Sequence, residues 1–408
     1  MIPSPSSAYR GFVQDLVIGS GVTSGLVDEL SQLSVRRVAL LTSPSVQVGS
    51  TFRAIRDALT QFEIVATSSN IRPHAPIGET EALSAFLRDV HPDVIVAVGG
   101  GSVSDTAKGS AILLAEGGSL EDHCSTFEQR TQLVQPTLMA AKIPIVTIPT
   151  TLSGAEMTPG GAATNNSGIK RTFWDPKIAS RLVFYDSVTL AETPRSILVA
   201  TAMNGLAHCA EGLYSKTQNP VSSALAVRGA YLFTSGLLRN HRDPSDKDAL
   251  LTLAEAAALG GMVISHARVG LHHAICHVLG TTCGLAHGVA NSVMLPYVLQ
   301  FNEPATRAAQ NQLASAMANG FVAAQFPPPP STILGTSQNA AVIVSRLRSI
   351  LGAPSSLSEA GVPKRALQDV ANRTMHDRGV YFNPRSVEGP DEVFDILLRA
   401  WSGEPLRV

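Results

Sequence analysis

The chain has 408 residues, of which 44% are hydrophobic and 15% are charged, and its formal net charge is −1. This composition is typical of a globular protein long enough for two or three domains. The near-neutral charge excludes a general attraction to nucleic acid or to an anionic membrane. No apolar run reaches the ~20 residues of a membrane-spanning helix, and residues 1–12 lack the pattern of a secretory signal. The four scattered cysteines indicate a reduced, cytoplasmic protein.

In the first half of the chain, strands rich in Val and Ile alternate with helical segments. The predicted strands cover residues 36–43, 62–67, 93–101, 143–151 and 181–186, and predicted helices between them cover residues 80–90 and 103–115. Strands that are apolar throughout, with helices between them, predict a parallel sheet covered on both faces.

From about residue 190 the periodicity is helical. Thr193 and Pro194 form a plausible N-cap and first turn for the first of these helices. Helices are predicted over residues 194–215, 248–267 and 303–325, and a proline-rich surface loop over residues 326–337. The sequence therefore predicts an α/β N-terminal Rossmann-like domain over residues 1–188 and an all-α C-terminal domain over residues 189–408.

Three glycines end one predicted strand and open the next helix, in the segment AVGGGSVSDTAK (97–108). Glycine lets a backbone approach a phosphate closely, and a helix N-terminus offers unpaired N–H groups. The segment lacks the GxGxxG dinucleotide pattern, so a tight structural turn is the alternative. Asp105 and Lys108 favour a ligand site, because they lie on the first helical turn. A second strand end, PTTLSGAEMTP (149–159), carries hydroxyl groups suited to phosphate or ribose.

Histidines concentrate in two helical segments, MNGLAH (203–208) and HHAICHVLGTTCGLAH (272–287). The polar side chains that can converge from them, partly at i, i+4 spacing, are Asn204, His208, His273, His277 and His287. Imidazoles from two helices and a loop are a plausible metal site. Each histidine alone is better explained as a hydrogen-bonded core residue. The whole set favours a functional site, because buried imidazoles need partners that a random helix rarely supplies.

The glycine loop GGGSxxDxxK, the TT turn and the HxxxHxxG…HGVAN segment resemble the iron-containing (group III) alcohol dehydrogenase superfamily. The resemblance extends over residues 17–387 and implies a dehydroquinate synthase-like architecture. It implies NAD(P)H binding at Gly99, Gly100, Gly101, Ser102, Asp105, Lys108, Thr150, Thr151 and Ser153. It places metal ligands at Asn204, His208, His273 and His287. His277 matches a histidine beside the nicotinamide, and the candidate catalytic residues are His277, His208 and His273.

Asn204 stands where the superfamily has Asp, and this departure resembles the maleylacetate reductase branch. The segments GAEMTP (154–159), GIKRTFWDP (168–176) and GLHHAICHVLG (270–280) also resemble that branch. An amide oxygen is a neutral and weaker ligand than a carboxylate, so the change should lower the affinity for Fe²⁺ or Zn²⁺. We therefore expect an activity that does not require metal, with adventitious Zn²⁺ binding at these positions.

Two positions depart from that branch. Trp174 replaces a basic residue before Asp-Pro, and Ala274 stands where Lys is common. A desolvated carboxylate needs a charged partner, so we expect a substrate that is less anionic, or larger and more apolar, than maleylacetate. The candidate substrate contacts are Trp174, His272 and His277. For Trp174 and the adjacent Phe173, hydrophobic packing is the favoured alternative.

The resemblance implies an NAD(P)H-dependent oxidoreductase that transfers hydride to an activated carbonyl or conjugated C=C of a small oxo acid or a less polar analogue. A plain alcohol dehydrogenase, a non-redox lyase or cyclase on the same scaffold, and a catalytically silent binding protein are the alternatives. Ser43 ends the strand 36–43 with no Asp or Glu close behind it, so we predict that NADPH is accepted as well as NADH. A homodimer is expected, with the edge strand near residues 15–21 pairing across a two-fold axis.

Overall fold

The computed structural model describes residues 14–128, 132–329 and 339–406. Contacts divide the chain into two compact units, one ending at Pro194 and the other beginning at Arg195. We call them the α/β domain and the helical domain. Most of the predicted proline-rich loop, residues 330–337, lies outside the described residues.

The α/β domain is built on a six-stranded parallel sheet in the order β1-β10-β7-β4-β2-β3. These strands are β1 Asp15–Gly19, β2 Arg37–Thr42, β3 Glu63–Ser68, β4 Val94–Gly99, β7 Ile145–Pro149 and β10 Leu182–Asp186. Thr42 pairs with Val98 and Gly99 pairs with Pro149. The carboxyl ends of β2, β4 and β7 therefore lie together at one edge, where parallel α/β sheets bind ligands.

Side chains of the central strands alternate between two cores. Val38 and Leu40 pack on one face of the sheet, against α1 Leu26–Gln32 and α3 Ser50–Ala58. Ala39 and Leu41 pack on the other face, against α4 Ile77–Val90 and α5 Gly101–Glu116. The remaining helices of this domain are α2 Pro44–Gln47 and α6 Ser187–Ala191. The prediction of a parallel sheet covered on both faces is confirmed.

Two antiparallel hairpins were not predicted. They are β5 Thr126–Glu128 with β6 Gln132–Val134, and β8 Gly160–Thr164 with β9 Lys170–Trp174. Strand β8 has the sequence GGAAT and β9 has the sequence KRTFW. Neither has the Val/Ile enrichment on which a strand prediction depends.

The helical domain contains nine described α-helices. They are α7 Arg195–Tyr214, α8 Pro220–Arg242, α9 Lys247–His266, α10 Leu271–Cys283, α11 His287–Ala323, α12 Ala340–Leu351, α13 Leu367–Thr374, α14 Gly379–Phe382 and α15 Pro390–Ser402. Helix α11 contains a kink at Thr306, whose φ is −135°, two residues after Pro304 has removed a backbone donor. One core joins α10, α11, α13 and α15.

Helices α8 and α9 are long and apolar enough to cross a membrane by composition alone, but 61% and 56% of their most apolar windows are buried inside the protein. Buried windows of this kind are typical of core helices in a soluble protein. All four cysteines are free thiols. The predicted fold class, an α/β domain followed by an all-helical domain, is confirmed.

Candidate functional site

The predicted cofactor residues of the α/β domain lie together at the carboxyl edge of the sheet. The N–H of Thr150 donates to the carbonyl oxygen of Gly99 over 3.0 Å. A methyl group on Gly100 would lie 2.9 Å from Cγ2 of Thr151, so only glycine lets the loop approach this turn so closely. The Oγ atom of Ser153 is buried and has no hydrogen-bond partner among the described residues. An unpartnered hydroxyl beside a helix N-terminus fits a phosphate or ribose oxygen of a dinucleotide.

The ammonium group of Lys108, a predicted cofactor contact, lies against backbone carbonyl oxygens. Its Nζ donates to the carbonyl oxygens of Ala155 and Gly160, over 2.6 Å and 2.9 Å, and the side chain is fully buried. Burial lowers the pKa of Lys108 to about 8, against the charges of Asp105 and Glu156, which raise it. Lys108 therefore holds the loop after the TT turn.

The loop at residues 74–75, for which the sequence predicted no role, contacts the glycine loop. His74 and Ala75 have positive φ angles of 67° and 44°, which L-residues rarely adopt. The N–H of His74 donates to Oγ of Ser102 over 3.0 Å, and Thr164 N–H donates to the carbonyl oxygen of Ala75. Two adjacent strained residues need strong local support, and here they orient the hydroxyl of the predicted cofactor residue Ser102.

Trp174 and Phe173 have different environments. Phe173 is 1% exposed and belongs to a core of the α/β domain. This agrees with the alternative interpretation of Phe173 as a residue in hydrophobic packing. Trp174 is half-buried at the end of β9, with its ring against Gly160 of β8.

Ser43, a predicted cofactor residue, directly follows β2, and its Oγ lies 3.2 Å from Oγ of Ser45.

The helical domain brings four of the predicted histidines into one cluster around His273. The ring of His208 stacks on that of His273 with centroids 4.9 Å apart. The centroids of His277 and His287 lie 6.1 Å and 6.0 Å from that of His273, and the two stack on each other at 5.6 Å. Helices α7 and α10 and the start of α11 position these rings. We call His208, His273, His277 and His287 the imidazole cluster.

His273 links two further side chains in this cluster. Its Nδ1 lies 2.5 Å from Oε2 of Glu211, and its Nε2 lies 3.2 Å from Oδ1 of Asn204. Asn204, His208 and Glu211 occupy positions i, i+4 and i+7 of α7, so they share one helix face. That spacing was visible in the sequence, and Glu211 was nevertheless missed.

Glu211 is buried, and burial raises its pKa. The charge of His272 and the backbone N–H groups of Gly270, His272 and His273 oppose that rise. Its carboxylate therefore has the donors it needs to remain inside the protein. A carboxylate on Nδ1 fixes the imidazole tautomer and orientation, which is how metal-ligating histidines are commonly held.

The geometry between His273 and Asn204 fits a divalent cation. With a proton on Nε2, this nitrogen donates to Oδ1 of Asn204. Without that proton, both atoms direct lone pairs at the same region, as two ligands of one ion do. Two ligand atoms bound at about 2.1 Å to one ion lie about 3 to 3.5 Å apart. The distance between Nε2 of His273 and Oδ1 of Asn204 is 3.2 Å. Imidazole nitrogen and amide oxygen are ligand types suited to zinc or iron.

His277 has an acidic partner that the sequence did not indicate. Its Nδ1 lies 3.0 Å from Oδ2 of Asp377, whose Oδ1 accepts from the N–H of Gly379 over 2.8 Å. Burial would raise the pKa of Asp377. The charge and hydrogen bond of His277, the Gly379 N–H and the charge of Arg378 outweigh burial and hold this pKa well below its usual range. Asp377 is therefore ionised, and it orients the ring of His277.

His272 is corrected as a candidate substrate contact. It is fully buried, and its Nε2 lies 3.2 Å from the carbonyl oxygen of Asn291. Burial, followed by the charge of His273, lowers the pKa of His272 to about 4. Glu211, His272 and His273 bring donor atoms within 4.8 Å of one another, but their polar atoms already contact each other. His272 is therefore a neutral core residue that supports its neighbours.

Comparisons with known proteins agree with this architecture. The sequence matches the family description "Iron-containing alcohol dehydrogenase" over residues 14–187 and "Fe-containing alcohol dehydrogenase family, C-terminal" over residues 198–401. Maleylacetate reductase 1 of Cupriavidus pinatubonensis is 30% identical over 390 residues, which cover 95% of each chain. Alcohol dehydrogenase 4 of Saccharomyces cerevisiae is 28% identical over 90% of this chain and 91% of that protein. The crystal structure of maleylacetate reductase from Agrobacterium tumefaciens has a TM-score of 0.79 at 27% identity, over 98% of this chain and 99% of that one.

Fold, site and relatives define an NAD(P)H-dependent oxidoreductase with a Rossmann-like domain and a helical domain that carries the imidazole cluster. The chain belongs to the iron-containing alcohol dehydrogenase family. The named relatives are reductases and dehydrogenases, so the non-redox and binding-protein alternatives gain no support. The expectation that activity is independent of metal gains no support either, because the family is named for its iron.

Proposed function

We propose that the chain reduces a small oxo acid with a conjugated C=C bond, the type of compound for which its maleylacetate reductase relatives are named, with NAD(P)H as cofactor. The observation that carries this proposal is the pairing of Asp377 with His277, a member of the imidazole cluster. Reduction of a conjugated carbonyl compound places negative charge on the carbonyl oxygen. That charge must be met by a proton or a positive group.

His277 supplies the proton in this scheme. The ionised carboxylate of Asp377 accepts from Nδ1 and favours the imidazolium form, as carboxylates do beside histidine. Nε2 is then the nitrogen that donates a proton to the developing oxyanion. Asp377 positions the ring and does not itself contact the reacting atoms.

The α/β domain would hold NAD(P)H, which supplies the hydride when bound. The unpartnered Oγ of Ser153, the start of α5 and the Ser102 hydroxyl, oriented by His74, would bind its polar groups. The absence of an acidic residue after β2 supports use of both NADH and NADPH.

The helical domain would hold the family's divalent ion through Asn204, His208, His273 and His287. When bound, such an ion polarises an oxygen of the substrate as a Lewis acid. Glu211 fixes the orientation of His273 for this role.

We further propose a cytoplasmic homodimer. The four free thiols support a reducing compartment. Among the described residues, strand β1 lies at the edge of the main sheet, and an edge strand can offer backbone groups to a second copy. Size-exclusion chromatography with light scattering tests the dimer directly.

The proposed activity is tested by NAD(P)H oxidation at 340 nm with 2-ene-4-oxo acids, saturated ketones and aldehydes. The purified enzyme is assayed with and without added Fe²⁺ or Zn²⁺. We expect turnover with the oxo acids, and a loss of about 10²- to 10⁴-fold in kcat for His277→Asn. His376→Asn, at an exposed histidine beside Asp377, is the matched control. Turnover of simple aldehydes alone would identify a plain alcohol dehydrogenase, and no turnover despite bound cofactor would contradict a reductase.

A further inference from the structure

The first turn of α10 is held by two side chains from distant parts of the chain. Gly270, the residue before this helix, has no side chain with which to cap it. The N–H of His272 donates to Oε1 of Glu211 over 3.0 Å. The N–H of Leu271 donates to Oδ1 of Asn383 over 3.3 Å. Both N–H groups lie in the first turn, where a helix has no acceptor of its own, so Glu211 and Asn383 serve as the cap of α10.

The side chain of Asn383 is fully buried, and both of its polar atoms have partners. Its Nδ2 donates to Oδ1 of Asn302 and to the carbonyl oxygen of Arg385, each over 2.7 Å. Its Oδ1 accepts from Nδ2 of Asn302 over 2.9 Å, as well as from Leu271. Two buried amides paired in this way fix each other's orientation, because turning either one would leave buried donors and acceptors unpaired. The acceptor that faces α10 is therefore held in place by α11, which carries Asn302.

The segment of chain that ends at Asn383 begins at the partner of His277. Asp377 contacts His277 at one end of this segment. Asn383 contacts Leu271, earlier on α10, at the other end. Between them the backbone at Gly379 lies against α10, since a methyl group there would lie 2.5 Å from the carbonyl oxygen of the residue before that helix. The segment is therefore fastened to α10 at both ends, and Asn383 is one of its two anchors.

We propose that Asn383 is a positioning residue that fixes the rings of His273 and His277. It acts through the first turn of α10, which places His273 against Glu211, and through the segment that carries Asp377. A displacement of about 1 Å in such a site can cost about 10²-fold in rate, so an anchor that contacts no reacting atom still affects the chemistry. The inference rests on the proposed reduction and divalent-ion site, and it adds the residue that sets their geometry.

The first experiment observes His273 directly by NMR, without turnover. In protein labelled with ¹⁵N at histidine, the Nδ1–H that bonds to Glu211 should give a far-downfield proton signal, assigned by its loss in His273→Gln. We expect Asn383→Ala to shift or broaden this signal and to weaken Zn²⁺ binding, measured by calorimetry, about tenfold. Asn240→Ala removes another buried amide of the same domain, which donates to Pro244 over 3.4 Å, and is the matched control. An unchanged His273 signal in Asn383→Ala would overturn the inference.

A double variant separates positioning from stability. In Asn302→Leu/Asn383→Leu both paired amides become apolar side chains of similar size, which removes the unpaired groups that a single substitution leaves. We expect urea unfolding to show a smaller loss of stability than in Asn383→Ala. The altered His273 signal and the weaker Zn²⁺ binding should persist, because Leu271 still lacks its acceptor. Recovery of signal and affinity together with stability would show that the amide pair only stabilises the fold, and would overturn the inference.

Steady-state kinetics tests the link to the proposed function. We expect kcat of Asn383→Ala with 2-ene-4-oxo acids to fall about tenfold. KM for NADPH should change less than about twofold, because the proposed cofactor residues lie in the α/β domain. An unchanged kcat, or an equal fall in Asn240→Ala, would overturn the inference while the reductase activity stands. If the wild-type enzyme reduces no oxo acid but Asn383→Ala alters the His273 signal, the proposed function fails and the positioning role stands.

Discussion

Nδ1 of His273 donates a hydrogen bond to Oε2 of Glu211 over 2.5 Å, in a buried part of the helical domain. This contact leaves Nε2 of His273 directed at Asn204. Carboxylates in this position raise the basicity of a ligating imidazole and fix its orientation. Glu211 is therefore a positioning residue for His273, the ring around which the imidazole cluster is arranged.

Replacing Glu211 with Gln should weaken the site without removing side-chain volume. We expect divalent-metal affinity to fall about 10- to 100-fold, and kcat to fall with it if turnover uses the ion. Metal content after dialysis, measured by ICP-MS, and kcat report these effects separately. Glu255→Gln removes a charge from an exposed position on α9 and serves as control. Metal content and kcat both equal to wild type would show that Glu211 has only a structural role.

Asn204→Asp should raise metal content. The substitution adds a negative charge to a ligand set that otherwise consists of neutral imidazoles, and a charged oxygen binds a divalent ion more strongly than an amide. A gain of about 1.4 kcal/mol would appear as tenfold tighter binding of Zn²⁺ or Fe²⁺. Asn372→Asp, at an exposed position on α13, is the matched control. Equal metal content in wild type and Asn204→Asp would contradict the prediction.

Removal of metal from the wild-type enzyme tests the expectation of metal-independent activity. Wild-type enzyme is treated with EDTA, dialysed and assayed before and after metal is restored. Retention of turnover would support that expectation. About one equivalent of iron or zinc per chain, with loss of turnover on removal and recovery on return, would show that it is wrong.

The sequence predicted the main sheet well because its strands are buried on both faces. A run such as Val94–Gly99 is apolar throughout, which separates it from the helices around it. The hairpin of β8 and β9 has glycine and alanine on one strand and charged residues on the other. Its pairing depends on packing around Phe173 and Trp174, which local pattern does not show.

The sequence predicted site residues that lie close together on one helix. It did not predict contacts between residues that are distant in the sequence. Asn204 and His208 share a face of α7 by spacing alone. The partnership of His277 with Asp377 joins residues 100 positions apart in the sequence. The position of Lys108 on α5 also gave no sign that its ammonium group donates to carbonyl oxygens of a later loop.

Ser43→Asp should convert the enzyme to a preference for NADH. In wild type no carboxylate follows β2 to repel a 2′-phosphate, so we expect KM values for NADPH and NADH within a hundredfold of each other, or about 2.7 kcal/mol. The added carboxylate should raise KM for NADPH about 10- to 100-fold and leave NADH little changed. Ser43→Asn adds similar volume without charge. A wild-type preference for NADH beyond a hundredfold would show that another residue excludes the phosphate.

The buried ammonium group of Lys108 should make stability rise with pH in the alkaline range. Its pKa is about 8 in the folded protein against 10.5 for the ordinary side chain. Between these values the unfolded chain binds a proton that the folded chain has lost, so the free energy of unfolding increases with pH, by at most about 3 kcal/mol. Below pH 8 Lys108 is protonated in both the folded and the unfolded chain, and its contribution to the free energy of unfolding is constant.

Buried thiols and phenols also titrate at high pH, so the comparison is with Lys108→Met, which lacks the ammonium group. Urea unfolding of both proteins from pH 7 to pH 10 should show wild type gaining stability relative to the variant above pH 8. Lys108→Met should be the less stable protein throughout, because it leaves the carbonyl oxygens of Ala155 and Gly160 without this donor. A stability difference that stays constant across this range would mean that Lys108 keeps its proton in the folded protein up to pH 10.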